Sequence, residues 1–201
     1  MTQIPWKLLA ASAPEFAAIK PEEAGVGMLF LPNDDAAEKE AKAILEGVVS
    51  KEGRCRVVGW RKVPVDSSIV GRLARATEPR AWQVVLEPVA GSGTLKGDEL
   101  ERELFLLRKL VEKAAKAKGG ALAADFYICT LSCRTITYKG MLQSSALGPY
   151  FLDLQNPLFE SKFAIYHRRF STNTTPKWPL AQPMRVLGHN GEINTLQGNL
   201  N

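Results

Sequence analysis

Residues 163–194 read FAIYHRRFSTNTTPKWPLAQPMRVLGHNGEIN, and the two halves of this stretch set the reading of the chain. Phe163 to Phe170 is an apolar, β-prone run that reaches Arg169 near its end and passes into Ser171, Thr172 and Asn173. Met184 to Gly188 is a second short apolar run, followed by His189 and the pair Asn190-Gly191. A proline-rich connection carrying Trp178, expected in the core, joins them. Two strand ends brought together this way offer a guanidinium on one side and an amide plus a glycine N–H on the other. The guanidinium is a planar fork that matches a carboxylate bidentately. The asparagine amide and the glycine N–H can both point at one oxygen, as an oxyanion hole requires. Glycine at that place lets a ligand approach the backbone where a Cβ would block it. Taken singly, Asn-Gly is a turn signal and a strand-end arginine is a surface ion pair. Together, at the spacing of a two-strand layer, they fit a site for a small amino acid.

Upstream, the pattern alternates between helical and extended periods. Gly25 to Leu31 (GVGMLFL) is a short apolar run that predicts a buried strand. Asn33 is placed to cap a helix over 34–49, with Ala37, Ala41, Ile44, Leu45 and Val48 on its apolar stripe. Cys55 to Trp60 and Ala81 to Leu86 read as further strands, and Pro88 to Gly97 as a linker. A helix over 98–118 follows, with Asp98 and Glu101 spaced as a capping box and Leu100, Leu104, Leu107, Val111 and Ala114 at helical spacing. After Gly119-Gly120 the sequence turns to strands at Phe126 to Leu131 and Thr135 to Tyr138, then at Phe163 to Phe170 and Met184 to Gly188. Strands alternating with helices predict a layered α/β arrangement of one domain.

Composition sets outer bounds. A 201-residue chain with 45% hydrophobic residues is long enough to bury a sizeable core. No apolar run reaches the length of a membrane-spanning helix, and the start lacks the pattern of a secretory signal. The formal net charge is +5, but Arg54, Arg56, Arg61, Lys62, Arg72, Arg75 and Arg80 are dispersed among apolar neighbours. No contiguous patch for nucleic acid results. Lys109, Lys113, Lys116 and Lys118 read as a solvated helix end favoured by the dipole. Cys129 and Cys133 fall in a predicted strand, about 13 Å apart, and with Cys55 they read as structural thiols in a reducing compartment.

The run YHRRFSTNTTPKWPLAQPMRVLGHNGEINTLQGN (166–199) carries a resemblance. So do CRVVGWRKVPVDSSIVGRLARATEPRAWQVVL (55–86), FYICTLSCRTITYKGML (126–142) and LGPYFLDLQNPLFESKFAIYH (147–167). Together they resemble the glutamine amidotransferase domain, of the class II N-terminal-nucleophile type, of the glutamate synthase large subunit. The resemblance implies a four-layer αββα sandwich, with two antiparallel sheets between helices, and 1–201 as one partial amidotransferase domain. It implies that Arg169 holds the α-carboxylate of L-glutamine and that Phe170, Thr172 and Asn173 line the pocket. Asn190 and Gly191 would form the oxyanion hole, with His189 a positioning residue and Glu192 opening a helix. Arg168, next to Arg169 in a strand, is expected on the opposite face.

Family members use a cysteine at the mature N-terminus, whose α-amino group is the base. This sequence begins Met1-Thr2-Gln3-Ile4-Pro5 and has no cysteine before Cys55. The expectation is therefore a nucleophile upstream of Met1, and no activity in these residues alone. FMN and an iron–sulfur cluster are implied for the full-length enzyme, with none of their ligands in these 201 positions. The implied partners are the downstream synthase domains and, as electron donor, ferredoxin or an NAD(P)H-linked small subunit. The implied compartment is the cytoplasm or the plastid stroma, with no nucleic acid or membrane partner. Another class II amidotransferase, or an inactive interaction or regulatory module, are the alternatives. The string RFSTNTTPKWPLAQP argues against the first.

Overall fold

The run GVGMLFL forms β1 (Gly25–Leu31), and all seven of its residues are buried. A strand without polar alternation must be covered on both faces, and the neighbouring elements meet that demand. The computed structural model describes residues 1, 3–91, 95–168 and 175–183. β1 pairs antiparallel with β3 (Arg80–Pro88) on one side and with β4 (Tyr127–Ser132) on the other. β2 (Cys55–Lys62) pairs antiparallel with β3, giving the order β2-β3-β1-β4. The helices, in chain order, are α1 (Trp6–Ser12), α2 (Pro14–Ala17), α3 (Asp35–Glu52), α4 (Arg72–Arg75), α5 (Gly97–Lys118), α6 (Gly120–Asp125) and α7 (Leu147–Tyr150).

Alternate residues of β1 separate two cores. Leu29 and Leu31 join Val84 and Leu86 of β3 against Ala41, Leu45 and Val49 of α3 and Leu100, Leu104, Leu107 and Val111 of α5. Val26, Met28 and Phe30 face the other way, toward Leu9, Phe16, Ile136, Tyr138, Tyr150, Phe151 and Trp178. Each such fully buried aliphatic or aromatic side chain contributes about 1.5–3 kcal/mol of apolar transfer. An antiparallel sheet under a helical layer is the α/β class that the sequence predicted, with its α layer and first β layer in place. The second face is covered by α1, α2 and by mostly irregular chain between 134 and 159.

Several elements differ from expectation in ways that have physical causes. The cap of α3 is Asp34, whose carboxylate accepts from the Ala37 N–H at 2.8 Å. Asn33 instead accepts from Arg80 Nε at 3.0 Å. The helix runs on to Gly53, whose φ of +70° gives the left-handed cap that a side chain would strain. Asp98 and Glu101 form no capping box. The carboxylate of Glu101 accepts from Ser132 Oγ and from the Cys133 N–H, both at 2.9 Å, and so ties α5 to the end of β4. On α5 the buried position is Ala115, with Ala114 only partly covered. Residues 135–138 form no strand, although Ile136 and Tyr138 are buried. Residues 163–168 also form none, and Phe163 and Tyr166 are exposed. β propensity needs a neighbouring strand to become a strand, and neither segment has one among the described residues. The predicted run 184–188 lies outside the described residues.

Buried polar groups organise the irregular layer. Arg61 of β2 grips Asp153 bidentately at 2.6 and 2.8 Å and also donates to Gln83 at 2.9 Å. The Tyr138 hydroxyl donates to Asp153 at 2.8 Å and accepts from Gln83 at 2.8 Å. Asp153 is 2% exposed. Burial opposes the charge on Arg61, but the Asp153 bonds and charge outweigh it and the pKa rises. Burial first, then Asp153, raises the Tyr138 phenol well above its usual range.

Removing one partner of a buried ion pair leaves the other uncompensated, at about 3–5 kcal/mol. Asp153→Ala is expected to destabilise the protein by that amount in urea denaturation, whereas Lys7→Ala, which removes an exposed pair with Glu160, changes stability by less than about 1 kcal/mol. At Gly140 an added Cβ would sit 2.5 Å from the Trp178 ring. Gly140→Ala is expected to cost about 1–3 kcal/mol through overpacking, measured in the same way.

Candidate active site

On the second face of the sheet, residues 136–140 line a cleft of about 370 Å³. One wall is the segment 164–168, including His167 and Arg168. Another is 142–145 with Leu147, and Gln182 and Pro183 close a third side. The cleft therefore gathers the residues that directly precede both halves of the candidate set. His167 and Arg168 lead into Arg169, and Gln182-Pro183 leads toward Asn190. The six candidates themselves, Arg169, Phe170, Thr172, Asn173, Asn190 and Gly191, lie outside the described residues, as do His189 and Glu192. Arg168 lines the cleft. The expectation that it lies on the face opposite Arg169 concerns a residue outside the described ones.

The connection between the two halves is anchored in the core, as Trp178 suggested. Trp178 is 2% exposed. Its indole N–H donates to the Ala74 carbonyl at 2.9 Å, and its ring meets Phe30 edge-on at 6.0 Å and Tyr150 at 5.6 Å. Tyr150 in turn donates to Glu78 at 2.7 Å, and Ser67 donates to the same carboxylate oxygen at 2.7 Å.

Two residues of this layer carried no signal that was read from the sequence. Asp153, at the centre of the Arg61 network, is one. Lys139 is the other: its side chain is 2% exposed, yet it sits in the run ITYKGML that reads as apolar strand. Its Nζ donates to the Tyr127 hydroxyl at 3.0 Å and to the Pro179 carbonyl at 2.8 Å, and lies 4.4 Å from the centre of the Tyr127 ring. Burial lowers its pKa to about 8. Nothing in its neighbouring sequence sets Lys139 apart from a solvated lysine.

The three cysteines are free thiols. Burial pushes Cys55 and Cys129 up to about 11. Burial and the Glu101 carboxylate push Cys133 up to about 12. None is held as the thiolate that nucleophilic attack needs near neutrality. Among the described residues no group of three His, Cys, Asp or Glu side chains is placed to hold a metal ion. No helix among them is long and apolar enough to cross a membrane.

The chain is 53% identical to ferredoxin-dependent glutamate synthase 1 of Arabidopsis thaliana over 203 aligned residues, covering all of this chain and 12% of that protein. It is 49% identical, with the same coverage, to ferredoxin-dependent glutamate synthase 2 of Synechocystis. It is 45% identical to the large chain of the NADPH glutamate synthase of Azospirillum brasilense, covering 88% of this chain and 11% of that protein. The chain thus spans about an eighth of the length of these relatives. The family described as "Glutamine amidotransferases class-II" matches residues 1–201, and the chain belongs to that family.

Proposed function

We propose that these residues form the glutaminase domain of a glutamate synthase, hydrolysing L-glutamine to glutamate and ammonia. The observation that carries the reading is the cleft, where the chain leading to the guanidinium and the chain leading to the Asn-Gly pair open onto one cavity. Arg169 binds the substrate α-carboxylate, and Phe170, Thr172 and Asn173 line the pocket. A cysteine thiolate attacks the side-chain amide carbon, and the carbonyl oxygen takes up negative charge facing Asn190 and Gly191. Collapse of that intermediate expels ammonia and leaves a thioester, which water hydrolyses to glutamate. The nucleophile is none of Cys55, Cys129 and Cys133, whose thiols are held protonated.

In the full-length enzyme the ammonia is channelled to a synthase domain of the same polypeptide, where it is combined reductively with 2-oxoglutarate. FMN and an iron–sulfur cluster, held by other parts of the polypeptide, would relay the electrons there from an external donor. The residues here do not fit such a cluster: Cys55 belongs to the core under the helices and Cys129 to the core on the other face of the sheet. Ferredoxin as donor is supported by the names of the relatives at 49–53% identity, an NADPH-linked donor by the name of the one at 45%. The plastid stroma or the cytoplasm is the compartment in keeping with the plant and bacterial sources of those relatives.

In the full-length enzyme, Arg169→Ala is expected to raise KM for glutamine with little change in kcat, because the α-carboxylate is bound alike in ground and transition states. Asn190→Ala is expected to lower kcat by about 10²–10³, since its oxygen partner gains charge only in the transition state. Synthesis from free ammonia should survive both changes. Steady-state kinetics with the two nitrogen donors checks this. Unchanged glutamine turnover in Asn190→Ala, or equal loss with both donors, would falsify the assignment.

A further inference from the structure

Lys139 is a buried cation whose two acceptors, a phenol oxygen and a backbone carbonyl, are both neutral. A buried ammonium usually carries a carboxylate partner, as Arg61 does in the same layer. What Lys139 holds is more telling than what it lacks. Pro179 stands ten residues after Arg169 and eleven before Asn190, in the turn Trp178–Leu180. The neighbouring Gly140 is where the Trp178 ring rests, close enough that a Cβ would collide with it. The floor of the cleft and the midpoint of the connection thus meet twice within two residues, once by packing and once through a charge-assisted hydrogen bond.

We propose that Lys139 is a positioning residue for glutamine hydrolysis, its ammonium fixing the Pro179 turn to the cleft floor and so setting the spacing between the chain that leads to Arg169 and the chain that leads to Asn190. This rests on the proposed glutaminase function. A neutral amine in the same place still donates hydrogen bonds. It loses the charge that strengthens the bond to the Pro179 carbonyl and the attraction to the Tyr127 ring.

The groups around the ammonium are few. β4 contributes the Tyr127 phenol, raised by burial, and the Cys129 thiol, raised to about 11. α5 contributes Arg108, paired with Glu112 at 2.7 Å. The cleft wall carries His167 and Arg168, and the turn itself holds no titratable side chain. Because burial lowers the lysine from 10.5 to about 8, the clamp is charged at neutral pH and loses its charge on the alkaline side. The stability sign is opposite. Below about pH 8 folded and unfolded chains both carry the proton, and the full cost of burying the charge is present. Between about 8 and 10.5 the folded state sheds its proton first, and stability rises. A clamp that weakens while the fold gains stability separates positioning from structural support.

The test uses the full-length enzyme, assayed with glutamine and with free ammonia from pH 6.5 to 9.5. The wild type is expected to show an alkaline limb near pH 8 in glutamine-dependent kcat/KM. Lys139→Met should lower kcat/KM at pH 7 tenfold or more, mainly through kcat, flatten that limb, and leave ammonia-dependent synthesis within twofold. Lys139→Arg, charged throughout, should move the limb upward. A wild type with no alkaline limb in this range overturns the proposal without recourse to any variant. So does a Met variant that keeps kcat/KM within twofold, or one that loses activity with the limb unchanged. Absence of all glutamine-dependent turnover in the wild type would instead sink the glutaminase reading itself.

Discussion

A central strand buried on both sides forces every other choice in this structure. β1 has no polar face, so the chain must supply two covering layers. One is made cheaply, from the amphipathic stripes of α3 and α5, whose backbone hydrogen bonds are satisfied internally. The other is made of short helices and extended chain, whose buried polar atoms need partners of their own. The Arg61–Asp153–Tyr138–Gln83 network, the Glu78 acceptor shared by Ser67 and Tyr150, and the Lys139 clamp all lie on this second side. The cleft opens there too, on the face where order depends on specific hydrogen bonds.

Among the described residues, the partly buried Arg61 and the buried Lys139 illustrate different solutions. Arg61 meets a carboxylate in fork geometry, and the same carboxylate accepts from Tyr138, so the desolvation of both charges is answered locally. Among the described residues, Lys139 meets a phenol oxygen, a backbone carbonyl and a ring face. In the first arrangement the Asp153 bonds and charge hold the Arg61 proton more tightly than usual. The second leaves a proton loosely held beside the candidate site.

Periodicity made the rigid half legible. The seven apolar residues of β1 and the repeats of Leu100, Leu104, Leu107 and Val111 are signals that survive without tertiary knowledge. Signals that rest on a competition between neighbours did not survive. Asn33 and Asp34 are both good caps, and Asn33 was drawn off by Arg80. Glu101 sits at capping-box spacing, yet β4 offered it two donors. The runs at 135–138 and 163–168 have strand composition and form no strand among the described residues, because a strand is a property of a pair. At the candidate site, the reading of Arg169 and Asn190-Gly191 rests on residue types with few other joint uses, and these residues lie outside the described ones. Asp153 and Lys139 were not legible, since burial of a charged side chain cannot be read from its neighbours in sequence.

The contact between Gly140 and Trp178 reaches beyond the energetics of one chain. Because the indole fills the space a Cβ at 140 would take, a larger residue at 140 fits best after a smaller one has appeared at 178. Over evolutionary time the two sites, thirty-eight positions apart, should therefore covary or stay frozen together. A lineage that leaves the pair by that route passes through an underpacked intermediate, with a small residue at both positions and a void where the indole now sits.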